Sequence, residues 1–144
     1  MDAGTALSQM QPILDSLRQC CAPLLESSDF KVVRSESGRS GFEGASILME
    51  SNDVEIFVAS EREQIAGWIR SKYDPNPQNW FSIDLISNLF ARPAETGVMD
   101  EGNLQFLRSH MGQVIDRFRQ TSVRQTLEQL NALKRARAKR LRRQ

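Results

Sequence analysis

The sequence predicts an α+β fold with an N-terminal helix, a four-stranded antiparallel meander and three C-terminal helices packed on the sheet. Apolar residues recur at helical spacing over residues 6–26, alternate with a period of two from Phe30 to Lys72, and return to helical spacing after Trp80. A helix, then strands, then helices is the order typical of α+β domains. The length of 144 residues fits one domain. We expect residues 1–133 to form it and residues 134–144 to be a basic helix end or tail.

The first predicted helix covers residues 6–26. Ser8 is a suitable N-cap, and Pro12 falls in the first turn, where its missing N–H costs nothing. Pro23 should kink or end the helix. Its apolar positions are Leu7, Met10, Leu14, Leu17, Cys21, Leu24 and Leu25.

The four predicted strands are Phe30–Glu36, Ala45–Ser51, Val54–Ala59 and Gln64–Lys72. Their β-branched residues and period-two alternation are typical of strands with one buried face. Asn52-Asp53 suits a tight hairpin turn. The predicted core face carries Ile47, Met49, Val54, Ile56, Val58, Ile65 and Ile69.

The second face of the predicted sheet carries the more informative side chains. A turn at Asn52-Asp53, together with pairing of Ser60 with Ile65, sets the register of the hairpins. The register produces two cross-strand rows, Leu48–Phe57–Trp68 and Glu50–Glu55–Arg70. If the first helix covers the apolar row, that row is core. If the row is open, it is an apolar patch with a charged rim, which is typical of interaction sites.

The sequence of the C-terminal half predicts three helices. Asn79 or Ser82 caps the first, which ends near Phe90 or Ala91, and Asp100 and Glu101 favour a helix start through the helix dipole. The later segments are a linker at residues 92–99, a helix over Glu101–Arg119, and a helix from Ser122 into the basic C-terminal run.

The charges are distributed unevenly along the chain. Residues 134–144 hold seven of the 19 Lys and Arg residues and no acid, so residues 1–133 have 12 bases against 18 acids, a net charge of −6. The basic run predicts either a solvated helix end or a site for nucleic acid phosphates or another acidic partner. Its cations are Lys134, Arg135, Arg137, Lys139, Arg140, Arg142 and Arg143.

No residue pattern predicts catalysis, a metal site or a cofactor. His110 is the only histidine and has no acid–base partner nearby in sequence. The adjacent Cys20 and Cys21 lack the spacing of metal-binding thiolates. Two adjacent cysteines also predict a reducing compartment, for which cytoplasm is the default, and no apolar run has the length of a membrane span. We therefore expect a protein that is not an enzyme.

Three segments together resemble a known group of proteins. They are Val54 to Val58, Asp74-Pro75 followed by Asn79 to Ile86, and Leu127 to Leu130 with the run from Lys134 to Leu141. The similarity covers residues 28–141 and is to small bacterial proteins of the kind found among immunity proteins of polymorphic toxin systems. The resemblance implies an α+β fold and a non-enzymatic role, the binding and blocking of a cognate toxin. It does not imply a map of the binding site.

The sequence thus predicts a protein-binding module, and a basic toxin domain is the partner that the acidic body would attract. The alternative prediction is a nucleic-acid-associated protein that uses the basic run. The predicted partner-binding residues are Glu50, Glu55, Phe57, Trp68 and Arg70.

Overall fold

The fold centres on an antiparallel sheet whose strands follow one another in chain order. The computed structural model describes residues 19, 21–22, 30–37, 45–61, 64–94 and 96–142. The four long strands are β1 (Lys31–Ser37), β2 (Ala45–Glu50), β3 (Val54–Glu61) and β4 (Gln64–Ser71). All four lie within two residues of the predicted bounds, although the alternation of apolar and polar residues is weak in β1.

The predicted register is confirmed at the hairpins β2–β3 and β3–β4. The two-residue turn at Asn52-Asp53 is closed by a hydrogen bond of 2.9 Å from the Ser51 N–H to the Val54 carbonyl. A short turn leaves the strands one register that buries the apolar face. The predicted pairs Leu48–Phe57, Glu50–Glu55, Ser60–Ile65, Phe57–Trp68 and Glu55–Arg70 all occur.

The prediction of four strands is wrong, because the described residues form five. The fifth strand, β5 (Phe81–Ser82), pairs antiparallel with Trp68 and Ile69 on the outer edge of β4. Two residues are too few to show a period, so the segment was predicted as the start of a helix. Residues 97–99, predicted as linker, also lie against β4. The Gly67 N–H donates to the Gly97 carbonyl, and the Met99 N–H donates to the Ile65 carbonyl.

Three helices follow the sheet among the described residues, and none is long and apolar enough to cross a membrane. They are α1 (Ile83–Leu89), α2 (Glu101–Phe118) and α3 (Val123–Arg142). Asp100 caps α2 by accepting the Asn103 N–H at 2.8 Å. A side-chain cap of this kind stabilises a helix by about 1 kcal/mol. The helix α2 begins and ends close to its predicted bounds, α3 begins close to its predicted start, and α1 begins directly after Ser82.

The core lies between one sheet face and the helices. Of the seven predicted core-face residues, six are buried and Ile65 is half-buried against them. The helices contribute buried side chains such as Leu85, Ile86, Leu107 and Phe118. Burying an aliphatic or aromatic side chain of this size stabilises the fold by about 1.5–3 kcal/mol.

No complete helix precedes β1 in the part of the chain that is described. The predicted helix over residues 6–26 falls almost wholly outside that part, and only Gln19, Cys21 and Ala22 have a helical backbone. The Cys21 side chain is fully buried in the same core cluster as the sheet, as the helical spacing predicted. The predicted N-terminal helix is therefore not an element of the described fold.

Candidate functional site

The sheet face opposite the core carries an open cavity of about 370 Å³. We call this face, with the residues that line the cavity, the aromatic face. The cavity is lined by Leu48, Phe57, Trp68, Trp80 and Arg34. The Phe57 ring lies centrally, with centroid distances of 5.8 Å to Trp68 and 6.1 Å to Trp80. Tilted rings at these distances attract each other beyond their buried area. The four apolar residues are only half-buried, and no described helix residue lines the cavity.

Strand geometry explains this cluster. Successive side chains of a strand point to opposite faces of the sheet. The sequence neighbours of Leu48, Phe57 and Trp68 point into the core, so these three side chains point to the other face. Sequence reasoning predicted these three residues as a row but missed Arg34 and Trp80. A bulge between Val32 and Arg34 places Arg34 opposite Leu48. Trp80 precedes β5, and because Ser82 pairs with Trp68, Trp80 falls on the same face.

The second predicted row consists of ion pairs. Arg70 Nη1 lies 2.6 Å from Glu55 Oε1, and Arg70 Nη2 donates to the Asp74 carbonyl at 3.0 Å. Glu50 Oε2 lies 2.9 Å from Lys72 Nζ, and Glu50 Oε1 lies 3.5 Å from Lys31 Nζ. The hydrogen bond from Lys72 holds the pKa of Glu50 below its ordinary value. Glu50 and Glu55 therefore do not form an unpaired acidic patch.

The predicted basic run is the last part of α3, and two of its cations contact the body. Arg137 Nη1 lies 2.6 Å from Asp84 Oδ2 and donates to Ser82 Oγ at 3.1 Å. Lys134 Nζ lies 3.4 Å from the Trp80 carbonyl oxygen and 5.1 Å from the Phe81 ring centroid. The other described cations of the basic run are exposed, namely Arg135, Lys139, Arg140 and Arg142. Arg143 lies outside the described residues.

Asp84 is the most deeply buried acid of the described residues. Its exposed fraction is 1%, and its Oδ1 has no hydrogen-bond partner within the described ranges. Gly97 passes so close that a Cβ there would lie 3.5 Å from Oδ1. A buried carboxylate is costly unless it is paired, so Arg137 is the group that offsets its burial.

His110 packs against aromatic side chains. It lies half-buried on α2, and its ring stacks on Phe106 at 4.7 Å. Nδ1 lies 3.1 Å from the Phe106 carbonyl oxygen, and no hydrogen bond or ion pair joins the ring to a described carboxylate. A general base needs such a partner or a substrate within reach. Among residues whose positions are described, no three His, Cys, Asp or Glu side chains are arranged to hold a metal ion.

With this geometry established, we compared the chain with known proteins. It matches no protein-family model, no curated protein and no solved structure. The resemblance to immunity proteins therefore stays a prediction from the three segments quoted above.

Proposed function

We propose that this protein is a non-enzymatic protein-binding module whose partner docks on the aromatic face. The observation that supports the proposal best is the half-buried cluster of Phe57, Trp68 and Trp80 around an open cavity. Tryptophan, tyrosine and arginine supply most of the binding energy in protein interfaces, and they do so from pockets at the centre of the contact. Both tryptophans of the sequence line this one cavity.

The neighbouring charged row suits the rim of such an interface. Interface rims are polar, and they exclude water from the apolar centre. Because Glu55 and Arg70 already pair with each other, a partner can cover them without leaving a buried charge unpaired. Such an unpaired charge would cost several kcal/mol.

The partner that we propose is a bacterial toxin domain, as the resemblance to immunity proteins implies, and the compartment is the cytoplasm. The acidic body supports this through long-range attraction of a basic partner. This long-range attraction does not come from the aromatic face itself, because Glu50 and Glu55 there form ion pairs with Lys72, Lys31 and Arg70.

The proposal is tested by photo-crosslinking from the face. A photoreactive phenylalanine analogue at position 57 should capture a specific protein, whereas the same analogue at Tyr73, an exposed aromatic outside the cavity, should not. The captured protein is then purified, and its affinity is measured against Trp68→Ala and Tyr73→Ala. We expect Trp68→Ala to weaken binding at least about 30-fold, the effect of losing an interface anchor worth 2 kcal/mol or more. Equal affinities for the two variants would refute the proposal.

A second candidate function is binding of nucleic acid by the exposed end of α3. Arg135, Lys139, Arg140 and Arg142 are exposed there. Binding through phosphates would fall steeply as salt rises. The sharp test replaces these four cations by Gln and keeps Lys134 and Arg137, which contact the body. This candidate requires that oligonucleotide binding at physiological salt is present in the wild type and lost in the variant.

A further inference from the structure

The ion-paired side chains along the aromatic face sum to a small positive charge. The described charged side chains that form ion pairs along that sheet face are four cations and three acids, a net charge of +1, whereas residues 1–133 carry −6. The cations are Lys31, Arg34, Arg70 and Lys72, and the acids are Glu36, Glu50 and Glu55. Local charge at a docking surface selects the partner groups that come to lie against it.

Among the described residues, Arg34 is the only charged one that lines the cavity. It forms an ion pair with Glu36 at 3.5 Å, and both side chains are exposed, Arg34 to 60% and Glu36 to 47%. Exposed pairs of this kind contribute little, so the guanidinium remains available to a partner. Guanidinium groups bind carboxylates through two parallel hydrogen bonds, which makes Arg34 a specific reader of an acidic group.

Lys134 lies near Trp80 but does not line the cavity, because its Nζ lies over the ring of Phe81, which is buried in the core on the opposite face of the sheet. The Lys134 Nζ lies beside the Trp80 carbonyl, and no described carboxylate lies within ion-pair distance of it. Arg34 is on β1 and Trp80 precedes β5, so four strand spacings separate these two residues, about 19 Å. An extended peptide of about six residues spans that distance.

We infer that the aromatic face recognises an acidic peptide segment, in which a large apolar side chain enters the cavity and a neighbouring carboxylate pairs with Arg34. This inference rests on the proposed function and specifies the chemistry of the partner's contact segment. A basic segment would place a cation against Arg34 and is selected against by repulsion. Single-stranded nucleic acid could also pair a phosphate with Arg34, so it is the competing ligand in the test.

Tryptophan fluorescence reports on this face alone, because both tryptophans line the cavity. The probes are three tryptophan-free octapeptides with a central Leu-Phe pair, flanked on each side by glutamates, serines or lysines. A dodecamer of deoxythymidine is the fourth probe. We expect the glutamate peptide to bind about tenfold more tightly than the lysine peptide at low salt, with the difference shrinking as salt rises.

Three variants separate the contributions. Arg34→Glu should abolish the preference for the glutamate peptide, whereas Arg124→Glu, an exposed position on α3, should leave it unchanged. Phe57→Ala removes the ring between the two tryptophans and should weaken all three peptides. Circular dichroism of each variant establishes that it is folded.

The possible outcomes discriminate among the hypotheses. Equal binding of the three peptides, lost in Phe57→Ala, overturns the acidic selection and leaves the apolar docking face intact. If none of the peptides binds at millimolar concentration, the inference is overturned. The proposed function is tested separately, by crosslinking from position 57. Tighter binding of the oligonucleotide than of any peptide overturns the inference in favour of nucleic acid. If acrylamide does not quench the tryptophan fluorescence of the free protein, the chain itself fills the cavity. This result also overturns the inference.

Discussion

At the scale of single residues, the pair between Arg137 and Asp84 is the contact with the largest expected effect on stability. Asp84 is almost fully buried, and Arg137 Nη1 lies 2.6 Å from its Oδ2. Removing one partner of a buried pair leaves an uncompensated charge, which costs about 3–5 kcal/mol. Arg135, two residues earlier on the same helix, is exposed to water instead.

We predict that Arg137→Ala lowers the free energy of unfolding by about 3 kcal/mol, because the Asp84 carboxylate loses its counter-charge. Arg135→Ala should change it by no more than about 0.5 kcal/mol, as is usual for exposed positions. Urea denaturation monitored by circular dichroism measures both. Similar values for the two variants would show that the ion pair does not stabilise the fold.

Glu50 predicts a dependence of stability on pH. The Lys72 hydrogen bond lowers the pKa of Glu50 in the folded state, so the contribution of Glu50 is present above the pKa of the unfolded state. It is lost as the pH falls through the lower, folded pKa. We expect Glu50→Gln to have a lower urea midpoint than the wild type at neutral pH, and the difference to shrink in acid and vanish once the pH is below the lowered pKa of folded Glu50. A difference that stays constant with pH would contradict the linkage.

No property of the sequence could have paired Asp84 with Arg137. The two residues are 53 positions apart. Asp84 reads as an ordinary acid in the first turn of a helix, and Arg137 is one of seven cations in a basic run. Which cation of such a run contacts the body depends on how α3 packs against α1 and β5, and packing is a tertiary property.

At the scale of elements, the strands and their register were predictable and the edge of β4 was not. Period-two alternation and a two-residue turn determine the pairing of β2 with β3, because a slip of one residue would expose the whole apolar face. β5 and residues 97–99 together cover the outer edge of β4. Both are too short to show periodicity, and edge pairing satisfies backbone groups whatever the side chains are.

Two glycines provide a matched test of packing at that edge. A Cβ on Gly67 of β4 would lie 2.9 Å from Met99 Sδ and 3.1 Å from Ile83 Cγ1, whereas a Cβ on Gly112 of α2 would meet nothing within 4 Å. We predict that Gly67→Ala destabilises the protein by about 1–3 kcal/mol through overpacking. Gly112→Ala should stabilise it by about 0.5–1 kcal/mol through helix propensity. Differential scanning calorimetry compares the two, and the same sign for both would refute the packing argument.

At the scale of the whole molecule, side-chain contacts join the basic helix end to the body. Residues 134–142 continue α3, and Lys134 and Arg137 contact β5 and α1. The predicted boundary at residue 133 would therefore separate Arg137 from Asp84. The exposed cations carry the remaining charge of this helix end.

We predict that truncation after Leu133 lowers the free energy of unfolding by at least about 3 kcal/mol, since it removes the partner of Asp84. The variant with Gln at positions 135, 139, 140 and 142 should retain wild-type stability within about 1 kcal/mol. Thermal and urea unfolding of the two proteins measure this. A fully stable truncated chain would indicate that the end of α3 is a dispensable tail.

The candidate site was predictable only in part. Phe57 and Trp68 followed from the register, which required no tertiary information. Trp80 and Arg34 did not, because one depends on β5 and the other on a bulge in β1. The pairing of Glu50 with Lys72 was not predicted either, because it joins side chains two strands apart, which cross-strand register alone does not specify.

The simple order of the strands has a consequence for how the chain folds. The long strands pair with one another in sequence order, so each hairpin closes over a short loop at small entropic cost. Folding through such local contacts is fast. The contact between Arg137 and Asp84 spans 53 positions and belongs to the closing stage. We therefore expect the hairpins to form before α3 packs against the body, because the contact of α3 with Asp84 closes a much longer loop.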